Sequence, residues 1–138
     1  MSLLDKLLLT DVQKFEEPET AKIKSKRLAK ALGSKEAVEI TVKELPSKRV
    51  TEIMAKQFDK KGNFDLERNY RAKAIVVAEG TVYPNLKDKN LQEHFKCPTP
   101  ADLAEKLFGQ EITRISDVIL TLSGVVDDEE EMENIKNS

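Results

Sequence analysis

The chain has 138 residues, of which 39% are hydrophobic and 35% charged, and this balance predicts one small core under a heavily charged surface. The net charge of −2 gives no electrostatic basis for a nucleic-acid partner. The single cysteine, Cys97, cannot form an internal disulfide, which fits a reducing cytosol. The apolar runs are too short to cross a bilayer and the start lacks a signal peptide, so we expect no membrane association.

The first ten residues, MSLLDKLLLT, predict a short helix with one leucine-rich face. That face contains Leu3, Leu4, Leu7 and Leu8. Two interpretations stay open: the helix docks on its own domain, or it is a docking segment for another chain. Exposed leucines are costly in water, at about 1.5–3 kcal/mol per side chain. Residues 11–19 are polar and end in EEPE, which predicts a linker, so residues 1–19 form a leucine-rich helix and linker.

Residues 20–28 (TAKIKSKRL) alternate weakly and hold the most basic part of the chain. This basic patch consists of Lys22, Lys24, Lys26, Arg27 and Lys30. Lysines on an edge strand oppose aggregation, so a solvated edge strand is one interpretation. A groove that binds acidic groups is the alternative. Aromatic residues do not interleave the charges, which weakens the case for nucleic acid.

Residues 37–45 (AVEITVKEL) form the best strand pattern, with Val38, Ile40 and Val42 on one face. With residues 21–28 this strand predicts an antiparallel, hairpin-like pair. Pro46 and Ser47 then open a helix, with Ser47 as its N-cap. The apolar face of this helix contains Val50, Ile53 and Met54.

Residues 66–79 predict the most buried helix, with Gly80 as its stop signal. Its stripe is formed by Leu66, Tyr70, Ala74, Val77 and Ala78 and is broadened by Ile75 and Val76. Residues 82–84 predict an extended crossing, and residues 90–95 a further short helix.

The clearest local pattern lies between Cys97 and Gly124. Thr99 is a favourable N-cap, Pro100 occupies the first helical position, and Gly109 supplies a stop. A second helix follows, with an apolar face at spacings of three and four residues that ends before Gly124. That face contains Ile112, Ile115, Ile119 and Leu122.

After Gly124 the run DDEEE predicts a disordered acidic tail over residues 126–138. Residues 20–125 then form a single globular domain. The predicted fold class is α+β and mostly helical, with five or six short helices packed on a small antiparallel, hairpin-like sheet near the N-terminal half.

The sequence contains few candidates for catalytic or metal-binding residues. His94 and Cys97 could form a nucleophile pair, but the sequence marks neither an orienting group nor an oxyanion hole. The pattern lacks a phosphate-binding loop, a dinucleotide fingerprint and zinc-ligand spacing. We therefore expect a binding protein rather than an enzyme, with no cofactor and no metal.

From Tyr70 to Gly124 the sequence resembles the XkdN-like tail assembly chaperones of phages and prophage-like elements of Gram-positive bacteria. The resemblance is carried by four ordered pieces. These are VVAEGTVYP, NLKDKNLQEHF, TPADLAEKLF and GQEITRISDVILTLSG.

The resemblance implies a chaperone in the cytoplasm of the bacterial host. Such a protein binds the phage tape measure protein, keeps it soluble, assists tail-tube subunits and is absent from the mature virion. The expected contact faces are the leucines of the first helix and any part of the face from Ile112 to Leu122 that is left uncovered. An exposed leucine face could also drive a homo-oligomer.

Three other interpretations remain. One is a structural tail or connector protein that is retained in the particle, although such subunits are usually richer in strands. The others are a small regulatory or adaptor protein of a bacterial host and an enzyme of unknown type.

Overall fold

The computed structural model describes residues 1–125, so the predicted acidic tail lies outside the described residues. Seven α-helices and three strands follow one another along these residues. Their order is α1 (Leu3–Leu8), β1 (Thr20–Ser25), α2 (Lys26–Ala31), β2 (Val38–Lys43), α3 (Ser47–Ala55), α4 (Leu66–Gly80), β3 (Thr81–Tyr83), α5 (Lys89–His94), α6 (Pro100–Phe108) and α7 (Ile112–Leu122).

The sheet is antiparallel, with the strand order β1-β2-β3. β1 pairs with β2 from Thr20 opposite Lys43 to Ser25 opposite Val38, which confirms the predicted hairpin-like pair. The alternating pattern of β2 places Ile40 and Val42 in the core. β3 adds a third strand on the other side of β2, where the sequence predicted only an extended crossing.

β1 ends earlier than its sequence pattern suggests. The hydroxyl of Ser25 accepts a hydrogen bond from the Leu28 backbone N–H at 3.1 Å, which starts α2 as an N-cap does. The basic patch is therefore divided: Lys22 and Lys24 lie on the edge strand, and the other three basic residues lie on α2.

α4 is the central helix of the domain, because it packs against α3, α6 and α7. Its C-terminal half supplies the buried residues, including Ala74, Val76 and Val77, whereas Leu66 and Tyr70 at its start are exposed. α7 fills the space between α4 and the sheet, where it contacts β1 and β2. The predicted stripe of α4 is thus buried only in its second half.

One sequence-based assignment of a helix end is wrong, and a second is right in position but has a different physical reason. Ser47 is the first helical residue of α3 rather than its N-cap; Pro46 holds that position and the cap lacks a side-chain hydrogen bond. Gly80 is the last residue of α4 and has no left-handed backbone. A Cβ at Gly80 would lie 2.6 Å from Cδ1 of Ile119, so close packing of α4 on α7 explains this glycine.

The ends of α6 and α7 follow the predicted pattern. The Thr99 hydroxyl accepts a hydrogen bond from the Asp102 N–H at 3.1 Å, and α6 ends before Gly109, which has φ 48°. α7 ends in a Schellman arrangement, in which Gly124 N–H donates to Thr121 and Val125 N–H donates to Leu120.

Candidate functional site

The N-terminal helix α1 is fixed locally by its own capping residues. The Ser2 hydroxyl accepts from the Asp5 N–H at 3.1 Å, and the Asp5 carboxylate accepts from the Ser2 N–H at 3.3 Å. These two reciprocal bonds form a capping box, so α1 needs no contact with the domain to define its first turn.

The four leucines of α1 form one exposed apolar surface, called here the leucine face. Leu3, Leu4 and Leu8 are 72%, 66% and 75% exposed, and Leu7 is 48% exposed. The apolar surface continues along the following segment through Leu9, Val12 and Phe15, which are also exposed. Exposed apolar side chains on one short segment make it a candidate site of interaction with another molecule.

The second predicted contact face, on α7, is mostly buried. Ile112, Ile115 and Ile119 of α7 are completely buried between α4 and the sheet. Leu122, at the end of α7, is half-buried against the same core. The uncovered part of this face is therefore small and lies at Leu122, while the three isoleucines stabilise the domain.

A groove lies between α2 and α6, beside the part of the basic patch for which a groove that binds acidic groups was the alternative interpretation; the contribution of α6 was not predicted. Its volume is about 800 Å³, and its apolar lining comes from Leu28 and Leu32 on the side of α2, Leu107 of α6, and Phe95. The rim is basic, with Lys26, Arg27, Lys30 and Lys106 facing a single acidic residue, Glu111. The pair Leu28 and Leu32 has the spacing of four residues that indicates a helix face, but the strand-like alternation before it concealed that signal.

One charged side chain, Arg27, joins the two walls of the groove. The Arg27 guanidinium donates hydrogen bonds to the backbone oxygens of Leu107 and Lys106 at 3.1 and 3.2 Å, which satisfies the C-terminus of α6. Glu111 accepts from the Ser25 hydroxyl at 2.5 Å and from the Lys26 N–H at 3.2 Å. The side chains of Lys30 and Lys106 remain exposed at the rim.

The titratable groups with shifted pKa values belong to structural contacts. The pKa of Asp102 is lowered by the hydrogen bond from the Thr99 hydroxyl, with a further contribution from Arg71, whose Nη1 lies 2.9 Å from the carboxylate. Burial raises the pKa of Tyr70, and the Glu79 carboxylate raises that of Arg49. These groups lie on different helices and do not converge on one cleft.

His94 and Cys97 do not form a reactive pair in this fold. His94 is exposed and its ring packs edge-to-face on Phe95, whereas Cys97 is buried and its thiol lies 3.4 Å from the Phe95 carbonyl oxygen. Within residues 1–125, groups of three or more histidine, cysteine or carboxylate side chains that could hold a metal ion are absent. Across the same residues, none of the helices has both the length and the apolar character required to cross a membrane.

Comparison with known proteins gives one similar solved structure and one matching family model. The chain is 21% identical to the protein yqbn, whose crystal structure superimposes with a TM-score of 0.55 over 86% of this chain and 99% of that chain. Comparison with curated proteins gives no match. The family model for the phage XkdN-like tail assembly chaperone protein matches residues 4–136, which is nearly the whole length. The chain therefore belongs to the family of XkdN-like phage tail assembly chaperones.

Proposed function

We propose that this chaperone binds the phage tape measure protein through its leucine face. Binding keeps the tape measure protein soluble in the host cytoplasm while tail-tube subunits assemble around it, and the chaperone is then released and absent from the mature virion. The observation that supports this proposal most directly is the exposure of all four leucines of α1, whereas the isoleucines of α7 are buried.

The physical basis is the matching of apolar faces. A long, mainly helical client with apolar stripes needs an apolar partner surface surrounded by charge, so that the complex stays in solution. The leucine face offers four large side chains on one short helix, and each contributes about 1.5–3 kcal/mol when it is fully buried. Charged residues carried by the same segment, such as Asp5, Lys6 and Asp11, would remain in water.

In this proposal the protein acts by binding and not by catalysis. Side-chain hydrogen bonds shift the pKa values of Asp102 and Arg49, and burial shifts the pKa of Tyr70. The single histidine packs on a neighbouring ring rather than on a nucleophile. The leucine face is apolar and presents no group that could transfer a proton or attack a substrate.

Co-expression tests the proposal. The tagged chain is expressed together with the tape measure protein of the same genetic element, and the soluble fraction is purified on the tag. We expect the tape measure protein to be soluble and to co-purify. A tape measure protein that stays insoluble and unbound would overturn the proposal.

Mass spectrometry of purified particles tests the last part of the proposal. A chaperone that leaves before completion gives no peptides from intact particles, while the tape measure protein in the same sample does. Stoichiometric recovery of this chain from particles would instead support a structural tail or connector protein.

A further inference from the structure

We propose that, in the free protein, the leucine face of one copy docks into the groove between α2 and α6 of a second copy. The tape measure protein then competes with the groove for the leucine face. The competition rests on the proposed function, whereas the docking between copies does not.

The two surfaces match in polarity. The groove has an apolar lining of Leu28, Leu32, Leu107 and Phe95, and Leu32 is 71% exposed. Its volume of about 800 Å³ is comparable with pockets of about 300–1,000 Å³ that bury drug-sized ligands. α1 is about 9 Å long at 1.5 Å per residue, so one face of this short helix is of a size to fill such a groove.

The two surfaces also match in charge. Residues 1–19 carry five acidic and two basic side chains, and the groove is lined by four basic residues and one acidic residue. The acidic groups of the segment are Asp5, Asp11, Glu16, Glu17 and Glu19. The Arg27 guanidinium already donates to the backbone oxygens of Leu107 and Lys106. The exposed amines of Lys30 and Lys106 are therefore basic groups that can meet the acidic groups of the segment.

The structure shows the helix outside the groove of its own chain, which favours a second copy as the source of the helix. The segment joins the domain at Thr20, where Glu19 and Glu44 are linked by a backbone hydrogen bond of 2.8 Å. The groove lies at the opposite end of β1, beside Ser25 and Lys26, which is about 17 Å away at 3.3 Å per residue. None of the residues of α1 lines the groove of its own chain, so within the described residues each copy has an exposed leucine face and a groove that α1 does not fill.

Such an interface joins two different surfaces and is heterologous. Repetition gives an open chain of subunits or a closed ring, and the smallest closed form is a dimer in which the two copies exchange their leucine faces; pairing of like surfaces would instead use one surface only. This distinction leads to a sharp experiment, because damage to either surface stops growth while a mixture of the two damaged proteins restores one interface.

The test uses sedimentation velocity of the full chain over a wide concentration range. We expect species larger than a monomer that become fewer at high salt, since the rim charges are screened. The groove variant Lys30→Glu/Lys106→Glu and the face variant Leu4→Asp/Leu7→Asp should each associate at least about tenfold more weakly. The variant Lys60→Glu/Lys61→Glu has the same change in charge on an exposed loop, and it should associate as the wild type does.

Mixing the groove variant with the face variant should give a one-to-one heterodimer, because the face of the first meets the groove of the second. A wild-type protein that is monomeric at every concentration would overturn the proposal. Full association of the groove variant would also overturn it, since leucine faces would then pair with each other. A mixture of the groove variant and the face variant that remains monomeric would also overturn the proposal.

Capture of the tape measure protein separates this inference from the proposed function. The groove variant should capture it at least as well as the wild type does, since its leucine face is intact and free of competition. If the wild type is monomeric and capture is normal, only the docking between copies fails. If self-association follows the pattern above and capture is absent, only the proposed function fails.

Discussion

α1 and α7 are both short amphipathic helices rich in large aliphatic residues, yet their apolar faces have opposite environments. The isoleucines of α7 are 0% exposed, and the leucines of α1 are between 48% and 75% exposed. α7 lies between α4 and the sheet, which together cover it. α1 precedes a linker, and within residues 1–125 its leucines have no comparable cover.

The difference shows that periodicity identifies an apolar face but not the surface that covers it. The isoleucines of α7 are covered by α4 and the sheet, and they stabilise the domain. The leucines of α1 are exposed within the described residues and are the proposed contact face. The following predictions test this division, in order of decreasing effect on stability.

The largest effect is expected for Ile119→Ala in α7. Removing this buried side chain should lower the free energy of unfolding by about 2–5 kcal/mol, because it leaves a cavity between α4 and α7. The matched change Leu7→Ala in α1 should lower it by less than about 0.5 kcal/mol. Urea titrations of both variants measure the difference, and equal losses of stability would contradict the division.

Gly80→Ala should have the next largest effect, since the new Cβ would lie 2.6 Å from Cδ1 of Ile119. We expect a loss of about 1–3 kcal/mol from overpacking. In the Ile119→Ala background the same change should cost less, because the obstructing atoms are gone. A double-mutant cycle by chemical denaturation checks this, and additive losses would show that the two positions do not press on each other.

Thr99→Ala removes the N-cap of α6 and should cost about 1 kcal/mol. Thr99→Ser keeps the hydroxyl that accepts from Asp102 N–H at 3.1 Å and should be close to the wild type. Thermal unfolding of the two variants measures the contribution of the cap. Equal melting temperatures for Thr99→Ala and the wild type would show that α6 does not depend on this cap.

The smallest effect concerns pH. The pKa of Asp102 is lowered in the folded protein by the Thr99 hydroxyl and Arg71, so the carboxylate binds its proton more weakly there than in the unfolded chain. Its contribution to stability is complete above the pKa of the unfolded chain and is lost as the pH falls through the lowered pKa. The stability difference between wild type and Asp102→Asn should therefore shrink on acidification. A difference that is constant with pH would contradict this account.

Much of the domain could be predicted because its signals are local. The cap at Thr99, the stop at Gly109 and the alternation of β2 each depend on neighbouring residues, and all three are confirmed. The role of Gly80 could not be predicted, because the residue that requires it, Ile119, is distant in the sequence.

The two candidate binding surfaces, the leucine face and the groove, also differ in whether their residues are close together in the sequence. The leucine face is contiguous in the sequence and was proposed from it. The groove is assembled from Leu28, Phe95 and Leu107, which are brought together only by folding. Its basic rim was visible in the sequence as a cluster of charges, but the apolar lining that makes it a groove was not.

The central claim is that the leucine face binds the tape measure protein while the isoleucine face holds the domain together. The most direct test is co-purification of the tape measure protein with Leu4→Asp/Leu7→Asp, with thermal unfolding measured on the same preparation. The control is Leu66→Asp, which places an aspartate on another leucine that is 78% exposed. We predict that the double variant loses the tape measure protein and keeps the wild-type thermal transition, while the control retains both. Retained capture by the double variant, or loss of its thermal transition, would contradict the claim.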